Sequence, residues 1–170
     1  AWYVRATDLE NNRFGITTGN RYCDKESYEF LKKTKLYGRE LLVAKRGEIG
    51  KVYLMPKVNV PSTLAPNLYL IRLNKALYPK FAYYWFTSEL GNKELVLANK
   101  STTIGALYKD DIKECYCIFP DIDEQKRIAN FLDHKTSEID ALIADNEKLI
   151  NLIEEKRQAI IVSAVTRGLN

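Results

Sequence analysis

Three polar stretches of the sequence carry side chains suited to binding a polyanion. "AKRGEIGK" (44–51) gathers Lys45, Arg46 and Lys51 around two glycines. Cationic side chains and the backbone amides of a glycine turn together suit phosphate oxygens. "KVNVPSTLAPN" (57–67) offers Lys57, Asn59, Ser62, Thr63 and Asn67 on a proline-bounded loop. Such short polar groups can reach base edges as well as sugar and phosphate. "NKSTTIGALYK" (99–109) adds Lys100, Ser101, Thr102 and Thr103. Each stretch also reads as a plain polar connection between strands, and the turn glycines read as structural.

Groups that do covalent chemistry are scarce. "GEIG" (47–50) is not the GxGxxG of a nucleotide fold, and neither GxxxxGK[ST] nor GxSxG occurs. The single histidine, His134, stands among charged neighbours in a helical stretch and reads as solvated rather than as a base. Asp110 and Asp111 read as the cap of a short helix. "NVPSTLAPN" (59–67) has the residue types of the Asn-Pro-Pro-aromatic motif of amino-methyltransferases, in the wrong order. Three cysteines, Cys23, Cys115 and Cys117, with a single His and no CxxC, form neither a disulfide framework nor a zinc site. They suit a reducing cytoplasm. No catalytic residue, metal site or bound cofactor is expected of this chain.

Charge divides the chain. Residues 1–119 hold 19 Lys and Arg against 12 Asp and Glu, a surplus of +7. Residues 120–170 hold 7 against 10, a balance of −3. The basic part is therefore the part that would meet a polyanion. It also holds eighteen of the nineteen aromatics and seven of the eight glycines, the punctuation of a fold with many turns.

The loops need elements to hold them. "ELLVAKRGEIGKVYLMP" (40–56) predicts strand, turn, strand; "NLYLIRL" (67–73) predicts a largely buried strand, and "CYCIF" (115–119) another. Helices are expected over 24–36 behind an Asp24 cap, over 78–100 behind Pro79, and for one or two turns in "KDDIKEC". The expected class is α+β: a small irregular sheet domain over 1–119, then a long C-terminal helix over 120–170 that pairs as a coiled coil.

That helix announces itself by what it lacks. From Asp121 to Arg167 there is neither Gly nor Pro, a run of about 47 residues. Asp121 and Glu124 have capping-box spacing. Beyond them a seam runs Ile139, Leu142, Asn146, Leu149, Ile153, Lys156, Ile160, in steps of three and four. At ~1.5 Å per residue the helix reaches about 65–70 Å, and its apolar stripe requires a partner. The alternative is a break near "DHKTS" (133–137) that returns the helix over its own domain.

Taken in order, "GEIGKV", "STLAPNLYLIRL", "STTIGALYKDDIKECYCIFPDIDEQKRIANFLDHKTSEIDALI" and "LIEEKRQAIIVSAVTRGLN" resemble the specificity subunit of type I restriction-modification enzymes. The resemblance implies a non-catalytic subunit with two target recognition domains, each followed by a conserved helix and each reading half of a split DNA target. It implies that the two helices pair antiparallel as a spacer and dock methyltransferase subunits, and through them the restriction subunit. S-adenosylmethionine and ATP then belong to those partners only. With one domain and one helix, this chain is expected to be a half-subunit or a fragment whose helix pairs with a second conserved helix or with a second copy. Asn146, near the helix midpoint, is expected to fix the register. The competing reading is a coiled-coil assembly module whose globular domain binds protein instead of DNA.

Overall fold

The strand–turn–strand expected over 40–56 forms. In the computed structural model, which describes residues 1–9, 19, 21–46, 49–99 and 105–169, β3 (Leu41–Ala44) pairs antiparallel with β4 (Val52–Leu54), Leu42 facing Tyr53. On its other side β3 pairs antiparallel with β6 (Leu68–Ile71), completing a three-stranded sheet, β4-β3-β6. As the central strand, β3 is buried throughout. Leu42 and Ala44 enter one apolar cluster with Trp2, Val4 and Met55. Leu41 and Val43 enter another with Ala82, Leu95 and Leu107. This alternation places a core on each face of the sheet.

A second sheet is built on β5 (Ser62–Leu64), with β1 (Trp2–Val4) parallel on one side and β2 (Lys35–Leu36) antiparallel on the other. Here the sequence misleads. "PST" reads as loop, yet Ser62 and Thr63 are fully buried in the middle strand. Their hydroxyls are satisfied locally: Ser62 Oγ donates to the Val60 carbonyl at 2.9 Å, and Thr63 Oγ1 lies 3.0 Å from Thr34 Oγ1.

The helices are shorter than their sequence patterns. α1 (Lys25–Phe30) is capped as expected, Asp24 Oδ1 accepting the Ser27 amide at 2.7 Å, but it stops at Phe30, and a 3-10 turn (Lys32–Thr34) leads into β2. The single helix expected over 78–100 is two, α2 (Pro79–Thr87) and α3 (Glu89–Leu97). Pro79 opens α2 as expected. Ser88 is extended and caps α3, accepting from the Gly91 amide at 3.3 Å. The break is tight, for a Cβ on Gly91 would overlap the Trp85 carbonyl oxygen.

α4 (Lys109–Lys113) follows the expected turns, with Asp110 and Asp111 in its first turn while the cap position falls to Tyr108. The strand expected over 115–119 joins no sheet among the described residues. It is held instead by Trp85 Nε1 donating to the Tyr116 carbonyl (3.3 Å) and by the Tyr116 amide donating to Glu94 Oε2 (3.1 Å).

α5 spans Ile122–Arg167. Asp121 Oδ1 accepts the Asp123 and Glu124 amides at 3.0 and 2.9 Å, while the Glu124 carboxylate pairs with Arg127. The chain divides into two compact units, Ala1–Ala129 and Asn130–Asn170. The first turns of α5 belong to the first unit because Gln125 and Ala129 are completely buried there.

The second unit, Asn130–Asn170, is helix through 133–137 without a break, Thr136 Oγ1 donating to the Leu132 carbonyl at 2.8 Å. Its seam is uncovered: Ile139, Leu142, Leu149, Ile153 and Ile160 are 52–62 % exposed. Asn146 turns its amide back to the Leu142 carbonyl at 2.9 Å. His134 is exposed beside Glu138, 3.2 Å away. No helix among the described residues is long and apolar enough to cross a membrane.

Candidate nucleic-acid interface

Lys45 and Arg46 leave the end of β3 between two other parts of the chain. The Lys45 amide donates to the Asn67 carbonyl at 2.9 Å. The Lys45 carbonyl accepts the Leu107 amide at 2.9 Å, and Arg46 forms an antiparallel bridge with Ala106. The first loop, the end of the second and the end of the third are thus closed together by main-chain hydrogen bonds. Chain separations of 22 and 62 residues collapse to one end of the β4-β3-β6 sheet.

The Lys45 side chain is committed within this junction. Its Nζ donates to the Pro66 carbonyl at 2.7 Å and lies 4.5 Å from the centre of the Tyr69 ring. Partial burial lowers its pKa from the ordinary lysine value. Tyr69 in turn donates its hydroxyl to the Leu107 carbonyl at 3.3 Å, tying β6 to the same place. Arg46, Lys51 and Asn67 are exposed around this junction, so charge and amide chemistry face outward from a fixed frame.

Two asparagines outside the expected set hold that frame. Asn92 on α3 donates to the Gly50 carbonyl at 2.7 Å across 42 residues of chain. Gly50 has φ +87°, and a Cβ on it would lie 2.7 Å from Asn92 Nδ2, so the turn accepts glycine alone. Asn99 Oδ1 accepts the Ala106 amide at 3.1 Å, fixing the strand-like piece that meets Arg46. No local pattern marks either residue; each is polar in a polar stretch, and only the tertiary contact gives it a task.

The other expected residues separate. Lys57 and Asn59 are exposed, but the chain at Lys57 packs against Gly38, before β3, and so stands at the opposite end of the sheet from Lys45. Ser62 and Thr63 are corrected outright: buried and hydrogen-bonded inside β5, they offer no surface to a ligand. Lys100, Ser101, Thr102 and Thr103 lie outside the described residues.

Residues 2–155 match the family of type I restriction modification DNA specificity domains. The chain belongs to that family. The match covers both the β-rich unit and most of α5, so the specificity domain as a family comprises the loops and the helix together. No curated protein matches the chain. Seven chains of solved structures do. One of them, from work on the structural basis underlying complex assembly and conformational transition of the type I R-M system, superposes with a TM-score of 0.67 at 20 % identity. The superposition covers 80 % of this specificity domain and 33 % of that chain, so the domain spans about a third of it. At that identity the likeness shows a shared fold.

Proposed function

We propose that this specificity domain reads one half of a bipartite DNA target for a type I restriction-modification complex. The observation that carries the reading is the main-chain closure of Lys45–Arg46 between Asn67 and Ala106–Leu107. It joins one point of each of three separate stretches and leaves Arg46, Lys51 and Asn67 exposed around the junction on the basic unit. Fixed backbone with exposed cations and amides suits phosphate positioning and base contact together. Arg46, Lys51 and Asn67 are the described residues assigned to that contact.

α5 serves as spacer and docking element. Its seam of exposed Ile and Leu is covered by a second conserved helix, from the same protein or from another copy, with Asn146 setting the register. Methyltransferase subunits dock on the assembled helices, and the restriction subunit joins through them. The domain carries no catalytic group of its own, and S-adenosylmethionine and ATP are bound by the partner subunits.

Reconstitution with a modification subunit, followed by footprinting and methylation mapping on genomic DNA, tests the whole reading. A split target with protection on one half is the expected result. Absence of any complex with such a subunit overturns it. Salt separates the competing assembly-module reading: phosphate contacts lose affinity steeply as salt rises, whereas an apolar protein interface does not.

A further inference from the structure

We propose that a second cationic surface, a groove at the start of β3, grips the phosphodiester backbone of duplex DNA beyond the bases that the loops read. The inference rests on the DNA-reading function above. The groove has a volume of about 540 Å³, and its cationic rim is Arg39, Arg72 and Lys75. All three are exposed. One carboxylate lines it, that of Glu40, and both its oxygens are occupied, accepting the Tyr37 amide at 2.6 Å and the Gly38 amide at 2.8 Å. The floor is apolar, formed by residues such as Leu73, Leu77 and Ile122. Three cations against one carboxylate leave the cleft positive on balance, and low-dielectric walls concentrate that field on its ligand.

Arg39 supplies an independent sign. Among the described residues it is the one non-glycine with a left-handed backbone, φ +69°. Its neighbour Gly38 (φ +97°) must be glycine, because a Cβ there would lie 2.9 Å from the Lys57 Cα. Position 39 has no such need for arginine: Gly or Asn adopts this conformation at lower cost. The fold therefore keeps a long cation where its backbone is disfavoured, on the rim of a groove already cationic.

The two surfaces stand at opposite ends of β3, Lys45 at one and Glu40 at the other. At ~3.3 Å per residue they are about 17 Å apart, the rise of about 5 base pairs. A duplex that runs along β3 from the loops has backbone within reach of the groove, outside the bases being read. Three point charges without a shared base-reading geometry grip phosphate and leave sequence preference to the loops.

The test uses the full chain, assembled with modification subunits, on duplexes carrying the mapped target with long or trimmed flanks. For Arg39→Ala/Arg72→Ala/Lys75→Ala, affinity for the long duplex is expected to fall about 10- to 100-fold at low salt. The slope of log affinity against log salt is expected to shrink by about 2 to 3, with base preference unchanged. On trimmed flanks the variant and the parent should converge. Arg39→Gly guards against misfolding: it should fold at least as stably as the parent while its salt slope drops by about 1. Unchanged affinity and slope on the long duplex overturn the groove assignment. So does a triple variant that loses its modification subunit instead of DNA, which gives the groove to a protein partner. A parent complex that binds no duplex at all removes the DNA-reading function itself, a result distinct from either.

Discussion

The Tyr78 amide donates to Gln125 Oε1 at 2.7 Å, joining the residue before α2 to the first turn of α5. Gln125 Nε2 completes the lock by donating to the Ala76 and Pro120 carbonyls, each at 2.8 Å. The amide is fully buried with every one of these bonds made. Replacing it with Leu keeps the volume and strands one donor and two acceptors. Gln125→Leu should therefore cost about 2–3 kcal/mol, read as a lower urea midpoint with an unchanged slope. A midpoint within error of the parent would show that these groups find water or other partners.

Lys45 and Arg46 are adjacent yet should respond in opposite ways. Arg46→Ala should leave stability unchanged and lower the salt slope of DNA binding by about 1. Lys45→Ala removes the bond to Pro66 and the ammonium over Tyr69. It should lower stability by about 0.5–1 kcal/mol and weaken binding through a loosened junction. Thermal melts and salt titrations of both variants decide; equal melts would place Lys45 outside the frame.

Asp121 gives the head of α5 a pH dependence with a definite sign. Its pKa is held below the ordinary carboxylate value, first of all by the Glu124 amide that it accepts. A depressed folded pKa stabilises at every pH above the unfolded value. The contribution is lost as pH falls from there through the folded one. Asp121→Asn keeps the cap without titrating in that range. The stability gap between parent and variant should accordingly narrow below about pH 4. A gap that stays constant on acidification would refute this assignment of the cap.

Asn146 sits in a seam otherwise lined by Ile and Leu and turns its amide to its own helix. Asn146→Leu should strengthen association of the helix while admitting other registers or oligomers. Sedimentation velocity on parent and variant tests this. An unchanged dimer of lower stability counts against a register role.

Gly91→Ala should destabilise the first unit by about 2 kcal/mol or more, because the Trp85 carbonyl oxygen occupies the place of the new methyl group. The thermal midpoint reports it. A neutral result would mean that the α2–α3 junction opens at little cost.

What the sequence discloses and what it hides can be traced to particular residues. β3 and β4 were legible because apolar triplets flank a glycine turn, and α5 because 46 helical residues hold no breaker. β5 was not, since Ser62 and Thr63 reach the interior by partnering Val60 and Thr34, contacts that no local pattern encodes. Cys115–Phe119 looked like a strand because it is a short run of apolar and aromatic residues, but such a run does not name a neighbour to pair with. The break at Ser88 was invisible because its cause lies three residues on, in the missing side chain of Gly91. For the site, the residue types were readable and their grouping was not. Nothing in the spacing of 45, 67 and 107 says that their backbones meet.

That meeting is made by main-chain groups, Lys45 N–H to Asn67 C=O and Leu107 N–H to Lys45 C=O, and braced by the side chains of Lys45, Tyr69 and Asn99. The main-chain bonds are blind to which side chains the exposed positions carry. Exposed residues at 46 and 67 can be exchanged without redrawing the frame that presents them. If the proposed DNA contact holds, the fold works as a socket with interchangeable prongs: a new target preference follows from substitution at the surface and leaves the architecture to be inherited whole.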